Sequence, residues 1–395
     1  MSALDFSTKI GSKRFSNPIF TASGCASSGQ ELSQFFPLTE IGAIVTKSIM
    51  TKPRTGRVTP RMAETPSGML NSIGLQGPGI DAFLENDIPW LVSNQVKIIV
   101  SIAGETVDEY GVLARRLRAV PGISAVEVNI SCPNVENRGQ VFACHTDTAT
   151  AVIEAVRRNI GGELPIVAKL SPDVTDIVEI ASAVINAGVD GLALINTLLG
   201  MVIDTNTMKP KLAGKTGGLS GPAIRPVAVR AIYQVHQAFP NTPIVGMGGV
   251  ASGRDALELV LAGASAVSVG TASFGNPMAS NSKRFYRFSR CNWFCSSGSV
   301  MNLPIILALD TKDLNLAKQW IKASSDQIDH FKIGLEFYLQ FGSAGIMQLR
   351  EIADFKLFLD LKLYDIPNTV KGAVESVVNL SPKFLTVHAS GGSKM

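Results

Sequence analysis

Several short apolar runs in this chain end in residues that can do chemistry. In order these ends carry Ser23, Lys47, Ser101, Asn129, Lys169, Asn196, the pair Gly248-Gly249 and the pair Gly270-Thr271. Two lysines and two asparagines around one opening suit a planar, anionic, amide-bearing ligand, because lysine supplies point charge while asparagine both donates and accepts. The glycine pairs leave backbone N–H groups accessible to phosphate. Cys132, in Asn129-Ile-Ser-Cys132-Pro-Asn134, sits just past one run, on a turn stiffened by Pro133. A thiol there becomes a base or nucleophile once a nearby lysine lowers its pKa. A lone cysteine is more often a small buried hydrophobe, and Cys25, Cys144, Cys291 and Cys295 are read that way. His145, His236 and His330 are scattered singly and are read as structural or surface groups.

The elements that must position these ends are parallel β/α units. Runs rich in Val and Ile, each followed by an amphipathic stretch, predict strands at Asn17–Ser23, Ile41–Lys47, Lys97–Ala103, Ser124–Ile130, Pro165–Leu170, Asp190–Asn196, Pro243–Gly248 and Ala264–Gly270. Eight units over roughly 250 residues predict an α/β TIM (β/α)8 barrel, whose chemistry lies where strands run into the following loops. The stretch Ala213–Pro222 is too glycine-rich for an element and reads as a functional loop. A second series begins at Leu303, with strands expected at Leu303–Asp310, His330–Leu335, Phe355–Lys362 and Phe384–Ala389. It predicts a partial, half-size second β/α barrel with open edges. The division is therefore a barrel over 1–279, an irregular junction over 280–302 and a partial barrel over 303–395. The junction shows neither helical nor strand period where an eighth barrel helix belongs, and its composition suggests a shifted reading frame joining two genes.

The composition excludes several classes. The 395 residues include 46% hydrophobic ones, and 36 Lys and Arg against 32 Asp and Glu leave a net charge of +4, so no basic block tracks a nucleic-acid backbone. Apolar runs fall short of the roughly 20 residues that span a bilayer, and a cytoplasmic location is expected. The five cysteines include one close pair, Cys291 and Cys295, with no second pair to complete a metal site.

The ordered pieces Thr21-Ala-Ser-Gly24, Val45-Thr-Lys47-Ser, Asn71-Ser-Ile-Gly-Leu-Gln76, Asn129-Ile-Ser-Cys-Pro-Asn134, Ala168-Lys169, Ile195-Asn-Thr197, Gly217-Gly-Leu-Ser-Gly221, Gly246-Met-Gly-Gly249 and Val269-Gly-Thr271 resemble the class 1 dihydroorotate dehydrogenases over residues 4–277. The cysteine, with the run Asn134–Phe142, is most similar to the subfamily that passes electrons to NAD through an iron-sulfur flavoprotein subunit. The resemblance implies FMN as cofactor, and oxidation of dihydroorotate to orotate in pyrimidine biosynthesis. Cys132 would take the C5 proton while hydride leaves C6 for the flavin N5. It further implies Ser23, Thr46, Lys47, Ser101, Asn129, Lys169, Ile195, Gly221, Gly248, Gly249, Gly270 and Thr271 around the cofactor. Lys47, Asn71, Ser72, Ile73, Gly74, Leu75, Asn129, Asn196 and Thr197 would hold the substrate, and a homo- or hetero-oligomer is expected. Ser101 departs from the asparagine usual in the family.

From Leu303 the pieces Ala308-Leu-Asp310, Phe331-Lys332-Ile-Gly-Leu-Glu336, Leu359-Asp360-Leu-Lys362-Leu-Tyr-Asp365 and Val387-His388-Ala-Ser-Gly-Gly392 resemble orotidine 5'-phosphate decarboxylase. Asp360 and Lys362 share a strand face. The resemblance implies Lys332, Asp360, Lys362 and Asp365 as catalytic residues and Asp310 as a substrate ligand, and an incomplete segment of this kind is expected to be inactive alone. Two other readings are a damaged fusion without turnover and a related FMN-dependent pyrimidine reductase.

Overall fold

The computed structural model describes residues 6–131, 145–281, 303–325 and 328–395. The chain divides into two compact units, Met1–Arg287 and Phe288–Met395.

In the first unit eight parallel strands form a barrel: β1 (Ile19–Thr21), β2 (Ile44–Val45), β3 (Ile98–Ile102), β4 (Ile123–Asn129), β5 (Ile166–Lys169), β6 (Gly191–Leu194), β7 (Ile244–Met247) and β8 (Ala266–Val269). From β2 to β8 each strand pairs with the next in sequence, and β8 pairs back onto β1. Closure between β1 and β2 comes from the parallel bridge Phe20–Ala43 and from Thr21 N–H donating to the Ala43 carbonyl at 3.2 Å. The barrel expected from the sequence is the fold observed.

Strand period two sorts the side chains into two sets. One set packs outward under the helices: Val126 and Val128 of β4, for example, join Leu113 of α1 (Val107–Leu117) and Val152 and Val156 of α2 (Thr146–Ile160) in the larger core. The other set fills the barrel: Phe20, Val45, Ile99, Ala125, Val167, Ala193, Val245 and Ala266 form an apolar stack. Ile10 and Phe15, from a short hairpin before β1, belong to the same stack. One period further along the strands the interior turns polar, with Ser101, Glu127, Lys169 and Ser268 all buried. This polar layer lies at the strand ends where barrel chemistry sits.

The glycine-rich stretch is not a loop. Thr216–Ser220 is a strand, sandwiched antiparallel between Leu198–Met201 and Gly68–Asn71, with Met62–Thr65 outside. Its glycines serve close approach: a Cβ on Gly218 would lie 2.1 Å from Thr197 Oγ1, and one on Gly217 2.6 Å from the Asn71 carbonyl oxygen. β-Propensity gave no hint of a strand here because backbone proximity, not side-chain packing, selects these residues. After β8 come the short helices Ala272–Gly275 and Pro277–Ser280. The stretch where the eighth helix was sought, and the junction with its suggested frame shift, lie almost wholly outside the described residues.

The second unit is a four-stranded parallel sheet: β9 (Leu303–Ala308), β10 (Ile328–Gly334), β11 (Lys356–Leu363) and β12 (Phe384–Val387), in that order. Its helices α3 (Leu314–Ser324) and α4 (Leu335–Arg350) cover one face, burying Phe331, Ile333, Leu357 and Leu359 in a core of their own. The partial second barrel is present as expected. No helix among the described residues is long and apolar enough to cross a membrane.

Candidate active site

A cavity of about 900 Å³ opens at the strand ends of the first unit. That is the size of a cofactor or ligand pocket. Of the residues expected there, Ser23, Lys47, Asn71, Ile73, Gly74, Leu75, Asn129, Lys169, Ile195, Asn196, Thr197, Gly221, Gly248, Gly249, Gly270 and Thr271 all line it. Three do not. Thr46 follows the inward-facing Val45, is fully buried, and spends its hydroxyl on the Ser101 N–H and the Lys47 carbonyl. Ser72 alternates with the lining residues Asn71 and Ile73, and its hydroxyl accepts from Arg57 at 3.0 Å. Ser101 is fully buried below the lining. Cys132 lies outside the described residues. The preceding residue, Ser131, is buried and bonded to both asparagines.

The lysines are set differently. Lys169 closes β5, is buried, and donates to Ser23 Oγ at 2.8 Å with Glu127 Oε1 3.7 Å away. A buried ammonium needs such a counter-charge, since an uncompensated one costs several kcal/mol. Glu127 was missed by the motif reading. Its signal was an acidic residue between Val126 and Val128 in the middle of an otherwise apolar strand. Lys47 lies beside Gly24, where an added Cβ would come within 3.4 Å of Nζ.

Cys25, read from sequence as inert, also lines the cavity. Burial pushes its thiol above the ordinary 9.0, against the opposing pull of Lys169 and Lys47. It is therefore a neutral thiol at physiological pH.

The far side of the cavity is built for close approach. Gly221, Gly248 and Gly249 have φ of +95°, +123° and +74°. Any Cβ on Gly249 would meet Arg225 Cβ at 2.6 Å, and one on Gly221 would meet Gly68 Cα at 2.7 Å. Thr271 donates to Ser220 Oγ at 2.8 Å, holding the end of β8 to the overlying sheet. Ser268 lines this cavity, and its buried hydroxyl has no hydrogen-bond partner among the described residues. A buried hydroxyl of this kind calls for a bound polar group. An orphaned hydroxyl beside a glycine cradle fits a ligand with a polar chain and an anionic end.

With that geometry in place, comparison with known proteins is decisive. Residues 5–283 match the family model described as dihydroorotate dehydrogenase. The chain belongs to the dihydroorotate dehydrogenase family. Similar curated proteins include the catalytic subunit of dihydroorotate dehydrogenase B (NAD(+)) from Desulforamulus reducens, 53% identical over 70% of this chain and 90% of that protein. The subunit of the same name from Trichlorobacter lovleyi is 52% identical over 69% and 89%, and that from Geotalea daltonii 50% over 71% and 90%. Membership makes this chain an oxidoreductase. On its C-terminal side, residues 303–395 match the family model described as orotidine 5'-phosphate decarboxylase / HUMPS family.

In that second unit, Lys332 Nζ lies 3.2 Å from Asp310 Oδ1 and 3.5 Å from Asp360 Oδ2, while Lys362 Nζ is 2.7 Å from Asp360 Oδ2. Four of the expected residues are thus one alternating cluster. Asp365 is not part of it; its carboxylate accepts from the Ile366 N–H at 2.7 Å. Thr386, missed in the sequence, donates to Asp360 Oδ1 at 2.8 Å from the neighbouring strand. The Lys362 hydrogen bond holds the Asp360 carboxyl below its usual range against the effect of burial, with Thr386, the Lys362 charge and Lys332 adding to it.

Proposed function

We propose that the first unit oxidises dihydroorotate to orotate with FMN as its bound oxidant. The curated relatives are named as catalytic subunits of an NAD(+)-linked enzyme, and this chain is read as passing electrons toward NAD through an iron-sulfur flavoprotein subunit in the cytoplasm. The observation that carries the reading is one cavity holding a buried lysine, two bonded asparagines and a glycine cradle.

FMN, when bound, supplies the hydride acceptor. Gly221, Gly248, Gly249, Gly270 and Thr271 would hold its phosphate and ribityl chain, with Ser268 satisfied by the same group. Lys169 would place positive charge against the ring system, where it stabilises negative charge that develops on reduction. Lys47 binds the substrate carboxylate, and Asn71, Asn129, Asn196 and Thr197 hydrogen-bond the pyrimidine. Cys132 accepts the C5 proton as general base. Its neighbour Ser131 is tied to Asn129 and Asn196, both of which line the cavity. The base is assigned to Cys132 rather than to Cys25, whose thiol desolvation pushes up.

Anaerobic mixing of the purified chain with dihydroorotate tests this. The protein should be yellow and should bleach, and Cys132→Ala should slow bleaching by at least about 100-fold, the usual worth of a general base. A Cys132→Ala protein bleached as fast as the parent would remove the assigned base. The second unit carries the charged cluster of a decarboxylase without a glycine cradle like the first unit's among its described residues. We read it as inactive alone; release of CO2 from orotidine 5'-phosphate by the purified chain would overturn that.

A further inference from the structure

Below the cavity an unbroken hydrogen-bonded chain runs from the buried acid to the asparagines that face the ligand. Ser101 Oγ donates to Glu127 Oε1 at 2.9 Å. Ser48 and Ser101 hydroxyls are 2.9 Å apart. Asn129 Nδ2 donates to Ser48 Oγ at 3.0 Å, and Asn129 Oδ1 accepts from Asn196 Nδ2 and Ser131 Oγ, both at 3.2 Å. Glu127, Ser48, Ser101, Ser131 and Asn129 are all buried, and Glu127 and Ser101 lie below the cavity lining, so bulk water does not redirect the acid end of the chain.

The direction of the chain follows from its acid end. A carboxylate accepts only, so the single Ser101 proton goes to Glu127. Toward Ser48, Ser101 can then only accept, and Ser48 must donate. With its proton spent, Ser48 accepts from Asn129. This leaves the Asn129 oxygen for Asn196 Nδ2, an orientation that the Ser131 N–H, donating to Asn129 Oδ1 at 3.4 Å, also supports. The Asn196 oxygen already accepts from the Thr197 N–H at 2.8 Å. Capacity then decides what is left over: one N–H of Asn129 and one lone pair of Asn196.

Resting on the reading of this site as a dihydroorotate dehydrogenase, we propose that Glu127, acting through Ser101 and Ser48, locks the donor and acceptor polarity of Asn129, and through it that of Asn196, in the sense that the Ser131 and Thr197 backbone also supports. The site thereby selects a ring edge that places a carbonyl next to an N–H. Glu127 is a positioning and specificity residue. It touches neither substrate nor the reacting atoms. A ligand with donor and acceptor exchanged along that edge meets two like groups, each of which then lacks a partner.

The test compares two probes on the flavin-loaded chain by equilibrium titration: orotate, and its cytosine-type analogue, in which an amino group and an unprotonated ring nitrogen replace the carbonyl and N–H of one edge. The parent should prefer orotate. Glu127→Gln can both donate and accept, and the ratio of the two affinities should fall on the order of 10-fold, the worth of one or two misdirected buried hydrogen bonds. Ser48→Ala, which cuts the chain while leaving Glu127 and Lys169 in place, should lower the ratio similarly. Glu127→Asp, with the charge retained, should restore most of the preference. A merely structural role would weaken both probes in parallel and leave the ratio unchanged. An unchanged ratio in both Glu127→Gln and Ser48→Ala, with the parent still binding orotate, overturns this inference alone. A parent that binds no orotate and is not bleached by dihydroorotate overturns the functional reading and this inference with it.

Discussion

At the scale of single residues, the site depends on two opposite uses of small space. Lys169 needs a partner in a dry interior and finds Glu127 and Ser23, whereas Gly249 needs the absence of a side chain. Its φ of +74° and the 2.6 Å approach of Arg225 Cβ leave an alanine no comfortable conformation. Gly249→Ala should cost about 1–3 kcal/mol of stability and reduce bound flavin, read as a lower melting temperature and a paler purified protein. Full flavin content in that variant would remove Gly249 from the proposed cradle. Cys25 gives a second residue-level prediction. Because burial holds its thiol above 9.0, alkylation of Cys25 should be slow at pH 7 and rise only in strongly alkaline solution, as followed by mass spectrometry of the modified peptide.

At the scale of elements, strand register does most of the positioning. The pairing of Asn129 with Lys169 and of Ser101 with Glu127 sets asparagine, lysine, serine and acid on neighbouring strands. A helix that begins just past the lining residues Val250 and Ala251, none of its own residues in the lining, contributes stability. The helix Gly253–Leu261 begins with a capping box, in which Ser252 Oγ accepts from the Asp255 N–H at 3.3 Å and Asp255 accepts from the Ser252 N–H at 2.9 Å. Ser252→Ala should lower unfolding free energy by about 1 kcal/mol in urea titration, with the KM for dihydroorotate unchanged. The glycine strand Thr216–Ser220 behaves oppositely. A valine at 218 would strike Thr197 Oγ1 at 2.1 Å, so Gly218→Val should raise KM well before it abolishes folding.

At the scale of the whole molecule, two family models match successive parts of one chain, and each unit has its own core. Phe331 is fully buried among residues of the second core, so Phe331→Ala should destabilise that unit by about 3–5 kcal/mol while flavin bleaching by dihydroorotate proceeds at the parent rate. The charged cluster makes the second unit acid-sensitive. Asp360 has a folded pKa held below the ordinary 3.8, chiefly by the Lys362 hydrogen bond. A depressed carboxyl stabilises the fold above its unfolded pKa and loses that contribution as pH falls through the folded value. Thermal melts from pH 7 down to pH 3 should therefore show the second unit's transition falling faster in the parent than in Asp360→Asn. Equal slopes would mean that the cluster contributes nothing to stability.

Strand order, barrel closure and the polar strand ends of the cavity could be read directly from the chain, because they rest on local patterns: period-two apolar runs, helical stretches between them, and polar or glycine residues at each run's end. Lys47, Lys169, Asn129 and Asn196 were found that way. Thr46 and Ser72 sit next to the lining but turn away from it, since one step along a strand reverses the side chain, whereas Ser101 faces inward and lies beneath the lining, bonded to Glu127. Glu127 and Thr386 carry no motif of their own. Their importance arises across strands, from partners tens of residues distant in sequence, so it became visible only when folding brought Glu127 beside Ser101 and Lys169 in a water-free interior. The strand Thr216–Ser220 escaped notice for the same reason: contact with Thr197 and Asn71, which no local pattern records, is what requires its glycines.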